Sequence, residues 1–206
     1  MNATTKDRAP LLRVEGLRHD GLQAAAFELK PGDIALISGP SGSGKTRLLR
    51  AVADLDAHTG DVWLDDRHYL SFAPSEWRRK VGFLPTESHW WRRDPKTHFN
   101  TPPDVEMLAR LKLEPAALTR PIAQLSTGER QRLALLRLLE NEPEVLLLDE
   151  PTGSLDADSE TRVEAEVKRY LKARGAAALW VSHDKAQGQR LATKRFIMAA
   201  GRLEAR

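Results

Sequence analysis

The chain contains no cysteine among its 206 residues. That excludes disulfides and thiolate metal sites and suits a reducing compartment. No apolar run approaches the roughly 20 residues needed to cross a bilayer, so membrane attachment is expected to go through a partner. The opening MNATTKDRAP is polar and carries no apolar signal-peptide core. Internal repeats, low-complexity tracts, long heptad stretches and an N-K-x-D guanine motif are all missing. A large excess of one charge is missing too: 32 Lys and Arg face 29 Asp and Glu, a formal net charge of +3. That balance implies no direct nucleic-acid partner. The length fits one domain with a sizeable buried core.

What is present is concentrated in three strings. The first is GPSGSGKT, Gly39 to Thr46, which matches the phosphate-loop pattern G-x-x-x-x-G-K-[ST]. Gly39, Gly42 and Gly44 let successive backbone N–H groups converge on phosphate oxygens, with Pro40, Ser41 and Ser43 between them. Lys45 is then a point charge for the β- and γ-phosphates, and Thr46 offers a hydroxyl to Mg²⁺. The loop has the context it needs. Ile34-Ala35-Leu36-Ile37 reads as a buried parallel strand before it, and Arg47 to Val52 reads as an amphipathic helix after it. A second apolar strand, Val145 to Leu148, ends in Asp149 and Glu150. Asp149 sits where a strand end delivers a carboxylate towards Mg²⁺. Glu150 sits where a base polarises an attacking water. The third string, LSTGERQR (Leu125 to Arg132), opens a helix. Ser126 with Glu129 three residues on has the form of a capping box.

These strings in this order resemble the ATP-binding cassette (ABC) ATPases. LSTGE is similar to the family signature LSGGQ, with Thr127 in place of the first glycine and Glu129 in place of the glutamine. The resemblance implies that Ser126 and Gly128 contact the γ-phosphate held by a second copy of the chain, at a helix N-terminus suited to anions. Ser154-Leu155-Asp156 looks like the family's D-loop, which crosses that dimer interface. LWVSHD (Leu179 to Asp184) looks like the switch-histidine segment and makes His183 the γ-phosphate sensor. Two positions depart. GFLPTES carries Thr86 where the family has a glutamine that reaches Mg²⁺. A threonine is too short for that, which leaves Glu87 or water to substitute. No tyrosine stands near the end of the first strand to stack on adenine. His19 is the best match, and a solvated loop residue is its other reading.

The resemblance implies an α/β fold: a P-loop NTPase core with a mostly parallel sheet, an antiparallel edge sheet and an inserted small helical lobe. One ABC domain is expected over residues 1–206, with the lobe over about 86–140. Along the chain, 1–10 reads as a frayed tail and 11–37 as edge-sheet strands. Helices are expected over 44–54, 75–79, 103–111, 126–140, 157–174 and 185–192, and strands over 62–64, 80–84, 144–149 and 177–182, with a hairpin over 195–203. The implied function is ATP hydrolysis by a subunit that dimerises around two Mg·ATP. It would drive a membrane permease from the cytoplasmic face of the inner membrane, and the short helical lobe and the ALWVSHDK segment resemble small ATPases paired with iron- or metal-export permeases. A soluble ABC ATPase not coupled to transport is the alternative. ESHWWRRDPKTHF (Glu87 to Phe99) holds two of the five tryptophans side by side. Adjacent residues do not share a face, so Trp90 or Trp91 is expected to be exposed. A core role and a docking role for the permease both remain open for them.

Overall fold

In the computed structural model, residues 9–206 are described; the tail expected over 1–10 lies, for residues 1–8, outside them. Strands β3 (Ile34–Ser38), β6 (Val81–Leu84), β7 (Val145–Asp149), β8 (Ala177–Val181) and β9 (Lys194–Ala199) pair in parallel. With β10 (Arg202–Ala205) antiparallel on the edge, they form one sheet in the order β10-β9-β3-β8-β7-β6. A second, antiparallel sheet has the order β2-β1-β4-β5, from β1 (Leu12–His19), β2 (Leu22–Leu29), β4 (Thr59–Leu64) and β5 (Arg67–His68).

The apolar strands are central because both of their faces are covered. Every residue of β7 and of β8 is buried, as a parallel strand between two helical layers requires. Alternation then divides each strand between two cores. Val145, Leu147, Leu179 and Val181 pack with the antiparallel sheet and with α1 (Lys45–Val52). Leu146, Leu148, Ala178 and Trp180 pack with α4 (Thr127–Glu140) and α5 (Ala157–Arg174). The sheets also meet at an edge, where Gln23 donates its backbone N–H to Gly201 O at 2.8 Å.

Two expectations need correction. The segment 11–37 does not form a single edge sheet. Its first two strands do, but β3 lies in the middle of the six-stranded sheet, as the continuous run Ile34–Ile37 demands. Segment 86–124, the least regular third of the chain with one helix expected over 103–111, is mostly turns. It holds the short helix α3 (Val105–Arg110) and single 3-10 turns at Pro95–His98, Pro115–Leu118 and Ile122–Gln124. Prolines at 95, 102, 103, 115 and 121 break any longer helix. The expected helix over 103–111 therefore starts only after Asp104, whose side chain caps it by accepting from Met107 N–H at 2.7 Å. Helices α2 (Pro74–Lys80) and α6 (Lys185–Leu191) lie within a residue of their expected spans. Among the described residues, no helix is long and apolar enough to cross a membrane.

Candidate functional site

The loop between β3 and α1 folds tightly against the hairpin at the far end of the chain. Gly39 has φ +149°, and a Cβ there would lie 2.0 Å from Met198 O, so no other residue fits. Gly201 N–H donates to Ser43 O at 3.0 Å from the same hairpin. Gly44, at φ +109°, ends the loop and caps α1 without a side chain. The first N–H groups of α1 thus have no side-chain cap, which is the arrangement that receives an anion. Lys45 is only 6% exposed and donates to Gly39 O and Pro40 O at 2.9 Å each. Burial holds its ammonium below the usual lysine range, against the pull of Glu150 and Asp149. Ser43 Oγ is buried with no partner. A buried hydroxyl is costly to leave unpaired, and a phosphate oxygen satisfies it. A cleft of about 210 Å³ opens here, lined by Ser41, Gly42, Lys45, Thr46, Glu150 and His183 among others.

The end of β7 supplies the acids. Thr46 Oγ1 donates to Asp149 Oδ2 at 2.7 Å. Asp149 is buried, and burial pushes its carboxyl up. The hydrogen bond from Thr46 pulls it back, Glu150 adds to the rise, and a hydrogen bond from Thr86 and the charge of Lys45 oppose it. A hydroxyl beside a carboxylate suits Mg²⁺, which keeps most of its ligands as water or phosphate oxygen. The chain leaves the strand abruptly. Glu150 has φ +50°, in the left-handed region that a non-glycine residue enters at a cost. That turn carries its carboxylate off the strand line to His183, whose Nε2 lies 2.7 Å from Glu150 Oε1. His183 follows β8, the neighbour of β7, so sheet register brings the pair together.

The other expected residues stand apart. His19 ends β1, and its Nδ1–H donates to Ala57 O at 2.9 Å, with Nε2 3.8 Å from Asp56. It lines a separate open cleft of about 340 Å³ with Arg18, Asp20 and His58. Arg47 links the two clefts: it lines the phosphate loop and donates to Asp20 O at 3.0 Å. Ser126 and Gly128 lie at the start of α4 and line neither cleft. The capping box is formed there, with Ser126 Oγ accepting from Glu129 N–H at 3.1 Å and Ser126 N–H donating to Glu129 Oε2 at 2.8 Å. Thr86 is exposed and hydrogen-bonded to Asp149, while Glu87 points out into solvent.

Sequence reasoning missed Thr152 and Gln187. Gln187, one helical turn after His183, is buried and donates to Thr152 Oγ1 at 3.0 Å and to Glu164 at 2.9 Å. The only signal in the sequence was a polar residue at that spacing. Of the adjacent tryptophans, Trp91 is 71% exposed and Trp90 packs against the core. The Arg137 guanidinium lies over both rings, 4.3 Å from Trp90 and 5.2 Å from Trp91.

Known proteins place these observations in a family. Residues 22–153 match the ABC transporter family. The chain is 34% identical to the probable iron export ATP-binding protein FetA of Escherichia coli, over 87% of this chain and 88% of that protein. It is 36% identical to protein STAR1 of rice, over 93% of this chain and 61% of that protein. To the sulfate/thiosulfate import ATP-binding protein CysA of Mesorhizobium japonicum it is 33% identical, over 96% of this chain and 62% of that one. The chain thus spans about three fifths of the length of the last two. In fold it is similar to the ATP-binding cassette MJ0796, solved as a dimer in a post-hydrolysis state with ADP and Pi. That likeness has a TM-score of 0.79 at 22% identity and covers 94% of this chain and 98% of that one. With its phosphate loop and strand-end acids carried on this fold, the chain belongs to the ABC transporter family, as an ATP-binding subunit.

Proposed function

We propose that this subunit hydrolyses ATP as a pair of identical chains closed around two Mg·ATP, and that it drives a separate membrane permease. The contact of Glu150 with His183 at the mouth of the phosphate-loop cleft carries this reading. The loop amides of Gly39 to Gly44 and the Lys45 ammonium hold the triphosphate, with Lys45 exchanging its two carbonyl partners for phosphate oxygens. Thr46 and Asp149 would hold Mg²⁺, which would neutralise charge at the phosphates. Glu150 takes the proton of the attacking water as its oxygen bonds to the γ-phosphorus and the β–γ bridging oxygen leaves with ADP. His183 fixes the Glu150 carboxylate and donates to the γ-phosphate. His19 borders the base. Ser126 and Gly128 complete the phosphate site of the second copy.

The whole chain is read as a single cassette, with 86–140 as the lobe that meets the permease on the cytoplasmic face. A cleft of about 310 Å³ lined by Arg78, Phe83, Trp91, His98 and Arg137 supports this, because an exposed tryptophan beside arginines suits a protein interface. The relative that the chain covers nearly whole is named for iron export, which favours export of a metal ion as the direction.

Glu150→Gln tests the reading. It is expected to bind ATP while hydrolysing it about a hundredfold more slowly. With Mg·ATP it should run as a dimer in size-exclusion chromatography, and adding Ser126→Arg should leave it monomeric. Equal hydrolysis rates in Glu150→Gln and the parent would remove Glu150 as the base.

A further inference from the structure

Helix α4 opens on a carboxylate at the place where an anionic ligand is expected. Glu129 lies in its first turn, and an acid there occupies the positive end of the helix that a phosphate would otherwise use. The acid cannot swing aside, because Oε2 accepts from Ser126 N–H at 2.8 Å within the capping box. Its other oxygen, Oε1, is held by Arg120 Nη2. Arg120 comes from the turn before the helix and pairs, among the described residues, with no other acid. Its Nε is buried and unpartnered, so the guanidinium has been drawn partly out of water for this one contact. Burial alone would raise the Glu129 carboxyl. The hydrogen bonds from Ser126 and the Arg120 guanidinium outweigh it and hold the group below the usual carboxylate range, as an anion.

We propose that Arg120 is a charge-compensating positioning residue. It neutralises and pins Glu129, so that the Ser126–Gly128 turn presents a net-favourable surface to the phosphates of a nucleotide held by a second copy of this chain. The inference rests on the paired reading above. A like charge left bare against a phosphate opposes closure, and in a two-fold pair the junction occurs twice.

The test uses the full chain carrying Glu150→Gln, with Mg·ATP, followed by light scattering against protein concentration. Adding Arg120→Gln is expected to weaken dimerisation about tenfold or more, with ATP binding by the monomer unchanged. Adding Glu129→Gln to Arg120→Gln is expected to restore dimerisation, since glutamine keeps the acceptor of the capping box and removes the charge. Glu129→Gln with Arg120 intact should dimerise at least as tightly as the parent. Undiminished dimerisation of Arg120→Gln overturns the proposal. So does a loss that Glu129→Gln does not repair, which would make Arg120 merely structural, and so does weaker dimerisation of Glu129→Gln alone. If the Glu150→Gln parent itself stays monomeric with Mg·ATP, the paired reading fails first and this inference falls with it.

Discussion

Thr86 shows how one side chain acts at second hand. Its hydroxyl cannot reach as far as the glutamine that the family carries there, yet it hydrogen-bonds Asp149 and favours the ionised carboxylate. Thr86→Ala should therefore raise the Mg²⁺ concentration needed for half-maximal hydrolysis by about two- to tenfold, the range for one ordinary hydrogen bond. Thr86→Ser should retain the parent value. A Mg²⁺ titration of ATP hydrolysis checks both, and an alanine variant with an unchanged midpoint would leave Thr86 without a part. His98 acts through protonation. Its Nε2 accepts from the backbone N–H groups of Trp91 and Arg92 at 3.1 Å each, while Nδ1–H donates to Asp94 O. Burial pushes the ring below the usual histidine range, and the charges of Arg137 and Arg92 push the same way, against the backbone hydrogen bonds that raise it. The sign follows: the unfolded chain binds this proton more readily than the folded one. Stability is therefore full above the ordinary histidine pKa of about 6.5 and falls as pH drops below it. Melting temperatures measured from pH 7 to pH 5 should fall more steeply for the parent than for His98→Asn. Parallel curves would assign the acid sensitivity to other groups.

At the scale of elements, α5 and α6 are tied together beneath the loops that carry Glu150 and His183. Gln187 on α6 reaches Thr152, just beyond Glu150, and Glu164 on α5, while Arg190 donates to Glu164 at 2.7 Å. Gln187→Leu strips a buried carboxylate and a buried hydroxyl of a donor, which costs about 1–3 kcal/mol. The melting temperature should drop by roughly 2–4 °C for each kcal/mol lost in a chain of this size. Hydrolysis should fall as well, because both loops of the Glu150–His183 pair are anchored there; a stability loss at full kcat would confine the network to packing. Strands and long helices of this kind were legible in the sequence because their apolar patterns were unbroken, as at Val145–Leu148 and Ile34–Ile37. The phosphate loop was legible because its chemistry is local. The packing within 86–124 was not, since its prolines leave one short helix among turns and its contacts are set by distant residues such as Arg137. Gln187 was invisible for a related reason: its partners come from another helix and another loop, and only sheet register brings them near.

Across the whole molecule, few large apolar side chains are exposed, and among the described residues Trp91 is the aromatic one, beside Leu55, Leu70 and Val105. Trp91→Ala should leave melting temperature and hydrolysis by the isolated chain unchanged, while weakening permease binding about thirtyfold, the loss expected for one aromatic anchor. Trp90→Ala should instead lower stability by about 3 kcal/mol, because that ring packs on the core. Thermal melts and a permease pull-down in detergent separate the two, and a Trp91→Ala chain that melts early would withdraw the docking assignment. The order of strands has a further consequence. Ile34 of β3 is flanked by Ala178 of β8, and Ala35 by Lys194 of β9, so the strand that carries the phosphate loop has both of its neighbours near the opposite end of the chain. Contacts so distant in sequence are made late in folding. The loop's own residues are therefore not enough to shape it, and a chain stopped short of β8 and β9 would carry the phosphate-loop sequence without the two strands that seat it.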